Sequence, residues 1–499
     1  MARARPSVAL RDDGPMDDAR RSELDDAWLA ERLRATAHLD ALRHEEFSRL
    51  DDGGHIYLDH TGAGLYPASL VRNHAEWLLG GVFGNPHSDN PTSRPMSELV
   101  DRARAAVLRF CSADPDDYEC IFTPNASGAI RLVAESFPFG PHRPLVLTTD
   151  NHNSVNGIRE HARRADAAVT YVPVVTPDLR IDQEALHAAL AGPPGLLALP
   201  AQSNYSGVQH PFPVGADGWR VLLDAAAFAP TNPLHLDEHR PDFVTMSFYK
   251  VFGYPTGVGA LIARRDALAE LRRPSFAGGT IAIASVAADA HRLVPGHAGF
   301  EDGTVDFLSL PAVEAGIELM ERIDIHSVHD RTQALTAWLL ERFQGLRHAD
   351  GSPLVRVLGP WEPLERGGTI AFVLVDPDGT ELPDRRIEQL ATGAGISLRS
   401  GCFCNPGAGE AARDLTADDL RPFLDADTPA GLPVSLCEVD DAVRGARGRG
   451  VSALRVSVGM SSNAADVRAL VDLLEGLLDR SAAEVGAAPA PPALGPDGA

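Results

Sequence analysis

Six short apolar runs, PLVLTTD, VTYVPVV, GLLALPA, RVLLDAA, DFVTMSF and VGALIA, follow one another through the middle of the chain. Each is too short for a helix core and lacks the polar alternation of a half-exposed strand, so it suits a strand covered on both faces. Helix-compatible polar segments separate the runs. Together they predict a mostly parallel α/β sheet with crossover helices. Ligands of such sheets bind beyond the carboxyl ends of the strands. The polar residues that close the runs are therefore candidates for function: Asp150 to Asn153, Gln202 to Asn204, Asp224, and Ser247 to Lys250.

The flanks differ in rhythm. Residues 1–22 are charged and contain proline, which predicts a disordered tail. Trp28, Leu29, Leu33, Leu39, Leu42 and Phe47 fall near helical spacing and predict a helical segment over 23–54. The sheet then occupies a large domain, 55–345, which closes with helical sequence from about residue 312. Beyond it, TIAFVLVD and ALRVSVGM read as strands. VRALVDLLEGLL reads as a helix with Val467, Leu470, Val471, Leu474 and Leu478 on one face and Asn463 as its cap. That pattern predicts a smaller α+β domain over 346–482, followed by an Ala/Pro-rich tail, 483–499.

A hydrophobic fraction of 44% with 23% charged residues fits a globular chain rather than a disordered or membrane one. The N-terminus MARARPSVALRDDGPMDD lacks the apolar core of a signal peptide, which gives a cytoplasmic expectation. A net charge of -24 argues against nucleic acid or an anionic membrane as partner. The five cysteines, Cys111, Cys120, Cys402, Cys404 and Cys437, are odd in number and read as reduced thiols. Neither CxxC nor HExxH occurs, and no metal is expected. HLDEH, with His235, Asp237 and His239, reads as a polar surface loop.

Lys250 is the one lysine among 45 Lys plus Arg. Arginine supplies fixed positive charge, but only an amine loses its proton readily and forms a Schiff base with an aldehyde. On count alone a surface accident stays open, so the neighbours decide. A cofactor such as pyridoxal phosphate needs a phosphate cradle, a carboxylate for its pyridine nitrogen and a flat group over its ring. FTPNASGAIRLVAES passes from strand to helix through small residues, and puts the backbone N–H groups near Ala126 and Ser127, with the Ser127 hydroxyl, at a helix N-terminus. By itself this is equally an ordinary cap. Asp224 closes RVLLD, where a lone carboxylate is costly; a pyridine nitrogen, a cap or a salt bridge would each satisfy it. His152 in TTDNHNS is either a stacking and proton-transferring imidazole or a solvated loop residue. Ser247 and Tyr249 flank the lysine with hydroxyls, and the turn Gly278-Gly279-Thr280 offers another.

Seven motifs in register, IYLDHTGAGLYP, FTPNASGAIRLVAESF, LPAQSNYSG, LLDAAAFAPTN, SFYKVFGYPTGVGAL, FAGGT and LRSGCFCNPGA, carry a resemblance. They resemble the amino-terminal desulfurase-like domain of molybdenum cofactor sulfurases, within the class V aminotransferase and cysteine desulfurase group of fold-type I pyridoxal phosphate enzymes. The resemblance implies a large domain with a mostly parallel seven-stranded sheet and a smaller α+β C-terminal domain. It implies pyridoxal 5'-phosphate on Lys250, Asp224 at the pyridine nitrogen and His152 on the ring. Ala126, Ser127, Ser247 and Tyr249 would hold the phosphate, with Thr280 reaching it from the other subunit of a homodimer. Asn204 would bond the phenolic oxygen or the substrate, Arg455 with help from Arg399 the substrate carboxylate, and Cys404 would accept sulfur.

The implied reaction is desulfuration of L-cysteine or another small amino acid, which leaves alanine and a Cys404 persulfide for an acceptor protein or cofactor. An aminotransferase, lyase or epimerase would keep the cofactor and reduce Cys404 to a loop residue; a cofactor-binding regulator would lack turnover altogether. Three departures stand out. Ala227 occupies a position where desulfurases commonly have glutamine, and Gly409 one where sulfurases often have cysteine. The sequence also ends without the domain that binds the molybdenum cofactor in full-length sulfurases.

Overall fold

In the computed structural model, residues 18–212, 218–424 and 435–487 are described. The central sheet has seven strands: β1 (Tyr118–Thr123), β2 (Leu145–Thr148), β3 (Val169–Val172), β4 (Leu196–Pro200), β5 (Arg220–Asp224), β6 (Phe243–Ser247) and β7 (Gly259–Arg264). Their order is β1-β7-β6-β5-β4-β2-β3. All neighbours are parallel except β7, which runs antiparallel to both β1 and β6.

Continuous apolar runs become strands because alternate side chains enter two different cores. Val221, Leu223, Val244, Met246, Ala260 and Ile262 face one layer, whereas Leu222, Phe243, Leu261 and Ala263 face the other. VTYVPVV departs from the expected burial. Its strand β3 is the sheet edge, Thr170 and Tyr171 are exposed, and Val174–Val175 leave the sheet to pair with Arg180–Ile181. An edge strand has a neighbour on one side only, so its outer residues stay wet. HLDEH is a single helical turn, Leu236–His239, rather than a loop.

The N-terminal segment forms three helices, α1 (Asp18–Arg34), α2 (His38–Glu46) and α3 (Ser48–Asp52). Helix α1 starts inside the stretch expected as a tail; residues 1–17 lie outside the described residues. The helix α4 (Ala126–Ser136) follows β1. After the sheet come α5 (Leu310–Ile323) and α6 (Ile325–Gly345), then a four-stranded antiparallel sheet of β8 (Val355–Val357), β9 (Thr369–Leu374), β10 (Arg399–Gly401) and β11 (Ala453–Ser457), ordered β8-β9-β11-β10. Helix α7 (Pro406–Arg413) follows β10, and α8 (Ala464–Glu475) follows β11. Asn463 caps α8, accepting from the Asp466 N–H at 3.1 Å.

A second core gathers Leu29 of α1, Trp338 and Phe343 of α6, Ile370 and Phe372 of β9, and Val467, Leu470 and Leu474 of α8. Val328, near the start of α6, packs instead in the first core. The division between cores thus runs through α6. Val485 is buried in the second core, inside the stretch expected as a C-terminal tail; residues 488–499 lie outside the described residues.

Candidate active site

The carboxyl ends of β4, β5 and β6 and the N-terminus of α4 surround an open cavity. Ala126, Ser127, His152, Asn204, Asp224, Ser247, Tyr249 and Lys250 all line it, so eight of the residues expected from sequence converge.

Lys250 sits in a short helix, Phe248–Phe252, directly after β6. Burial pulls its ammonium below the usual lysine range, with Arg455 and Arg399 adding to the effect and Asp224 opposing it. Its amine has no hydrogen-bond partner among the described residues. Asp224 ends β5, is 7% exposed, and among the described residues accepts only from the Ala226 N–H at 3.0 Å and the Thr245 hydroxyl at 3.4 Å. A buried carboxylate without a cation has room for a protonated ring nitrogen.

His152 caps a one-turn helix, Asn153–Asn156. Its Nδ1 accepts the Ser154 N–H at 3.1 Å, which leaves the proton of the neutral ring on Nε2. Burial lowers its pKa, Lys250 and Arg455 lower it further, and Asp224 opposes them. The Ser154 hydroxyl lies 2.6 Å from that of Ser127 and 3.1 Å from His152 Nδ1. Ser154 also lines the cavity and had no assigned role from sequence. At the start of α4, the Ala126 N–H donates to the Ser247 hydroxyl at 2.9 Å, and Asn125 accepts from the Gly128 N–H at 2.9 Å. These hydroxyls and the helix N-terminus form an anion cradle. Burial raises the Tyr249 phenol, keeping it a neutral donor.

Arg455 and Arg399 stand directly opposite each other on β11 and β10. Asp59 lies between them, accepting from Arg455 Nη2 at 2.9 Å and from Arg399 Nη2 at 2.7 Å and Nε at 3.0 Å. It offsets a like-charged cross-strand pair. Burial lowers the pKa of Arg455 despite Asp59; burial also acts on Arg399, where Asp59 outweighs it and the pKa is raised. Arg455 Nη1 donates to the Asn204 carbonyl at 2.9 Å, while its buried Nε has no hydrogen-bond partner among the described residues. Neither arginine lines the cavity; Arg455 stands behind Asn204.

Cys404 is exposed and follows β10. Its carbonyl accepts from the Asn153 N–H at 2.7 Å, and the Phe403 carbonyl accepts from Asn204 Nδ2 at 2.6 Å, so the cysteine loop is tied to two cavity loops. Thr280 stands apart. It is fully buried, its hydroxyl bonded to Ala277 at 2.8 Å, and it is absent from the cavity lining.

Residues 56–470 match the aminotransferase class V family profile. The chain belongs to the class V aminotransferase family. Among curated proteins, the molybdenum cofactor sulfurase of Solanum lycopersicum is 34% identical over 476 residues, covering 88% of this chain and 57% of its own length. That of Homo sapiens is 33% identical over 464 residues, covering 87% of this chain and 50% of its own. The chain thus spans little more than half the length of these relatives. Among solved structures, a cysteine desulfurase from Thermococcus onnurineus superposes with a TM-score of 0.71 at 21% identity, covering 88% of this chain and 98% of that one. Another from Escherichia coli gives 0.68 at 19%, covering 90% and 99%. These likenesses establish the class V fold, with its mixed, mostly parallel seven-stranded sheet. The donors present fit the cofactor implied by sequence: an unpartnered amine, a cation-free buried carboxylate and an anion cradle share one cavity.

Proposed function

We propose that this chain is a pyridoxal phosphate-dependent cysteine desulfurase that moves the sulfur of L-cysteine onto Cys404. The observation carrying the reading is that the loop of Cys404 is hydrogen-bonded to the cavity that holds Lys250, Asp224 and His152. Sequence similarity to the sulfurases over most of the chain supports it.

Bound in the cavity, pyridoxal phosphate would supply an aldehyde for amine exchange and an electron sink for the substrate α-carbon. Lys250 Nζ, with its proton affinity lowered, takes the α-proton. Asp224 holds the ring nitrogen protonated. His152 stacks on the ring and offers its Nε2 proton toward the substrate. The hydroxyls of Ser127, Ser247 and Tyr249 and the start of α4 hold the phosphate. Arg455, which meets the cavity wall through the Asn204 carbonyl, is the cation nearest at hand for the substrate carboxylate, and takes it once its guanidinium is released toward the cavity. The Cys404 thiolate attacks the substrate sulfur; an S–S bond forms as the substrate C–S bond breaks, and the carbon keeps the electron pair. L-cysteine and the Cys404 thiol become alanine and a Cys404 persulfide, with no outside oxidant.

The same reading includes a homodimer, passage of the sulfur to an acceptor protein or cofactor, and a cytoplasmic setting. Free cysteines suit a reducing compartment. No described helix is long and apolar enough to cross a membrane. A role for Thr280 across the dimer requires its hydroxyl to leave Ala277.

Mass spectrometry after exposure to L-cysteine tests the proposal. The Cys404 peptide is expected to gain about 32 Da, one sulfur, as alanine appears. Cys404→Ala should keep the visible absorbance of bound cofactor and lose the adduct; Lys250→Ala should lose both. A keto acid in place of alanine, or an unmodified Cys404, overturns the reading.

A further inference from the structure

Residues 402–405 form a tight turn closed by the Asn405 N–H to the Cys402 carbonyl at 3.1 Å. Its two central residues, Phe403 and Cys404, have φ of +56° and +54°. Positive φ at both centres belongs to the primed turns, which favour Asn-Gly because other side chains crowd the backbone there. A Phe-Cys pair keeps that shape only where its surroundings over-determine it.

Those surroundings converge on one buried carboxylate. Asn405 Nδ2 donates to Asp150 Oδ1 at 2.6 Å and also contacts Asn204 Oδ1 at 3.0 Å. Asp150, just beyond β2, is fully buried and accepts further bonds from the Ser203 hydroxyl and His210 Nε2, each at 2.8 Å. Three donors, two from the loop after β4 and one from the cysteine loop, fix the carboxylate. The carboxylate in turn fixes Asn405, the residue next to the thiol.

We propose that Asp150 and Asn405 are a positioning pair for Cys404, drawing the strained turn against the Asn204 and Asn153 loops so that the thiol is presented at the cavity edge. The inference rests on the desulfurase reading, in which Cys404 must meet the substrate sulfur; the restraint on the turn is measurable without that chemistry.

Asn405→Asp is the discriminating variant. Asn405 Oδ1 also caps α7, accepting from the Ala408 N–H at 3.3 Å, and aspartate caps a helix as well as asparagine does. The cap therefore survives while a second carboxylate faces Asp150 in place of a donor. Without L-cysteine, alkylation of Cys404 by iodoacetamide, followed by mass spectrometry, is expected to speed up about fivefold as the turn opens. With L-cysteine, single-turnover persulfide formation is expected to slow about tenfold, at an unchanged half-saturating concentration. Asp150→Ala should behave alike. Asp150→Asn should recover most of both rates, because it keeps an oxygen for Asn405 and an amide for the other tautomer of His210. Unchanged alkylation in folded Asn405→Asp overturns the proposal, as does faster alkylation without slower transfer. If the wild type itself gains no sulfur, the desulfurase reading fails, and the alkylation comparison still decides the restraint.

Discussion

His60 shows how far a single side chain departs from its solution behaviour when the core closes around it. Its imidazole lies edge-on to Tyr57 at 4.9 Å, and burial, with Arg43 adding and Asp59 opposing, lowers its pKa to about 4 from 6.5. Between those values the unfolded chain binds more protons than the folded one, so stability is present above pH 6.5 and is lost as pH falls toward 4. The loss from this group is about 3 kcal/mol. Urea titrations at about pH 7 and about pH 4.5 should show a smaller drop for His60→Gln than for the wild type; equal drops would reject the assignment. Legibility at this scale depends on distance along the chain. Lys250 was legible because no other lysine competes with it and because Asp224 and Ser247 end neighbouring strands. Asp59 was not, since its two arginines lie 340 and 396 residues away and nothing local marks it. Asp150 was flagged as a strand-end residue, yet its role emerged only once Asn405, 255 residues on, was brought to it.

Among elements, α2 depends on the small domain as much as on its own sequence. Arg43 donates from Nη1 to Asp466 and to the Ser461 carbonyl, each at 2.6 Å, and from Nη2 to Asp51 at 2.7 Å, which ties α2 to α3 and to the start of α8. The Arg43 and Asp466 side chains are only 5% and 3% exposed. Removing one member of such a pair leaves a buried charge, so Arg43→Met is expected to cost about 3–5 kcal/mol in chemical denaturation. Loss of the α8 cap in Asn463→Ala should cost about 1 kcal/mol. A loss for Arg43→Met no greater than for the cap would show that the pair is solvated. The cap was legible because its signal is local. The division of the N-terminal segment into three helices was not: it contains no proline between them, and the break before α3 occurs where Phe47, at φ -130°, turns fully into the core. The edge position of β3 was equally hidden, because an apolar run does not report which strand lies beside it.

At the scale of the whole molecule, the alternating runs carried the seven-stranded sheet, and the later change of rhythm marked the separate four-stranded sheet and its core. The split of α6 between cores, and the packing of α1 on the second core, arise from tertiary contacts that no window of sequence contains. The cavity lies at the strand ends, and the residues lining it come from the central sheet, its loops and α4. Binding restricted to the folded state stabilises it by about 2.7 kcal/mol at a free cofactor concentration 100-fold above Kd. Denaturation of the protein with and without pyridoxal phosphate should show that gain for the wild type and a much smaller one for Lys250→Ala; equal gains would place the binding elsewhere. The lysine has one more consequence. Because it is the only side-chain amine in 499 residues, and its proton is held less tightly than usual, an amine-selective acylating reagent used near neutral pH has a single internal target. The yield of that one modification, counted on one peptide, becomes a direct meter of how open the cavity is, built into the chain without any engineered label.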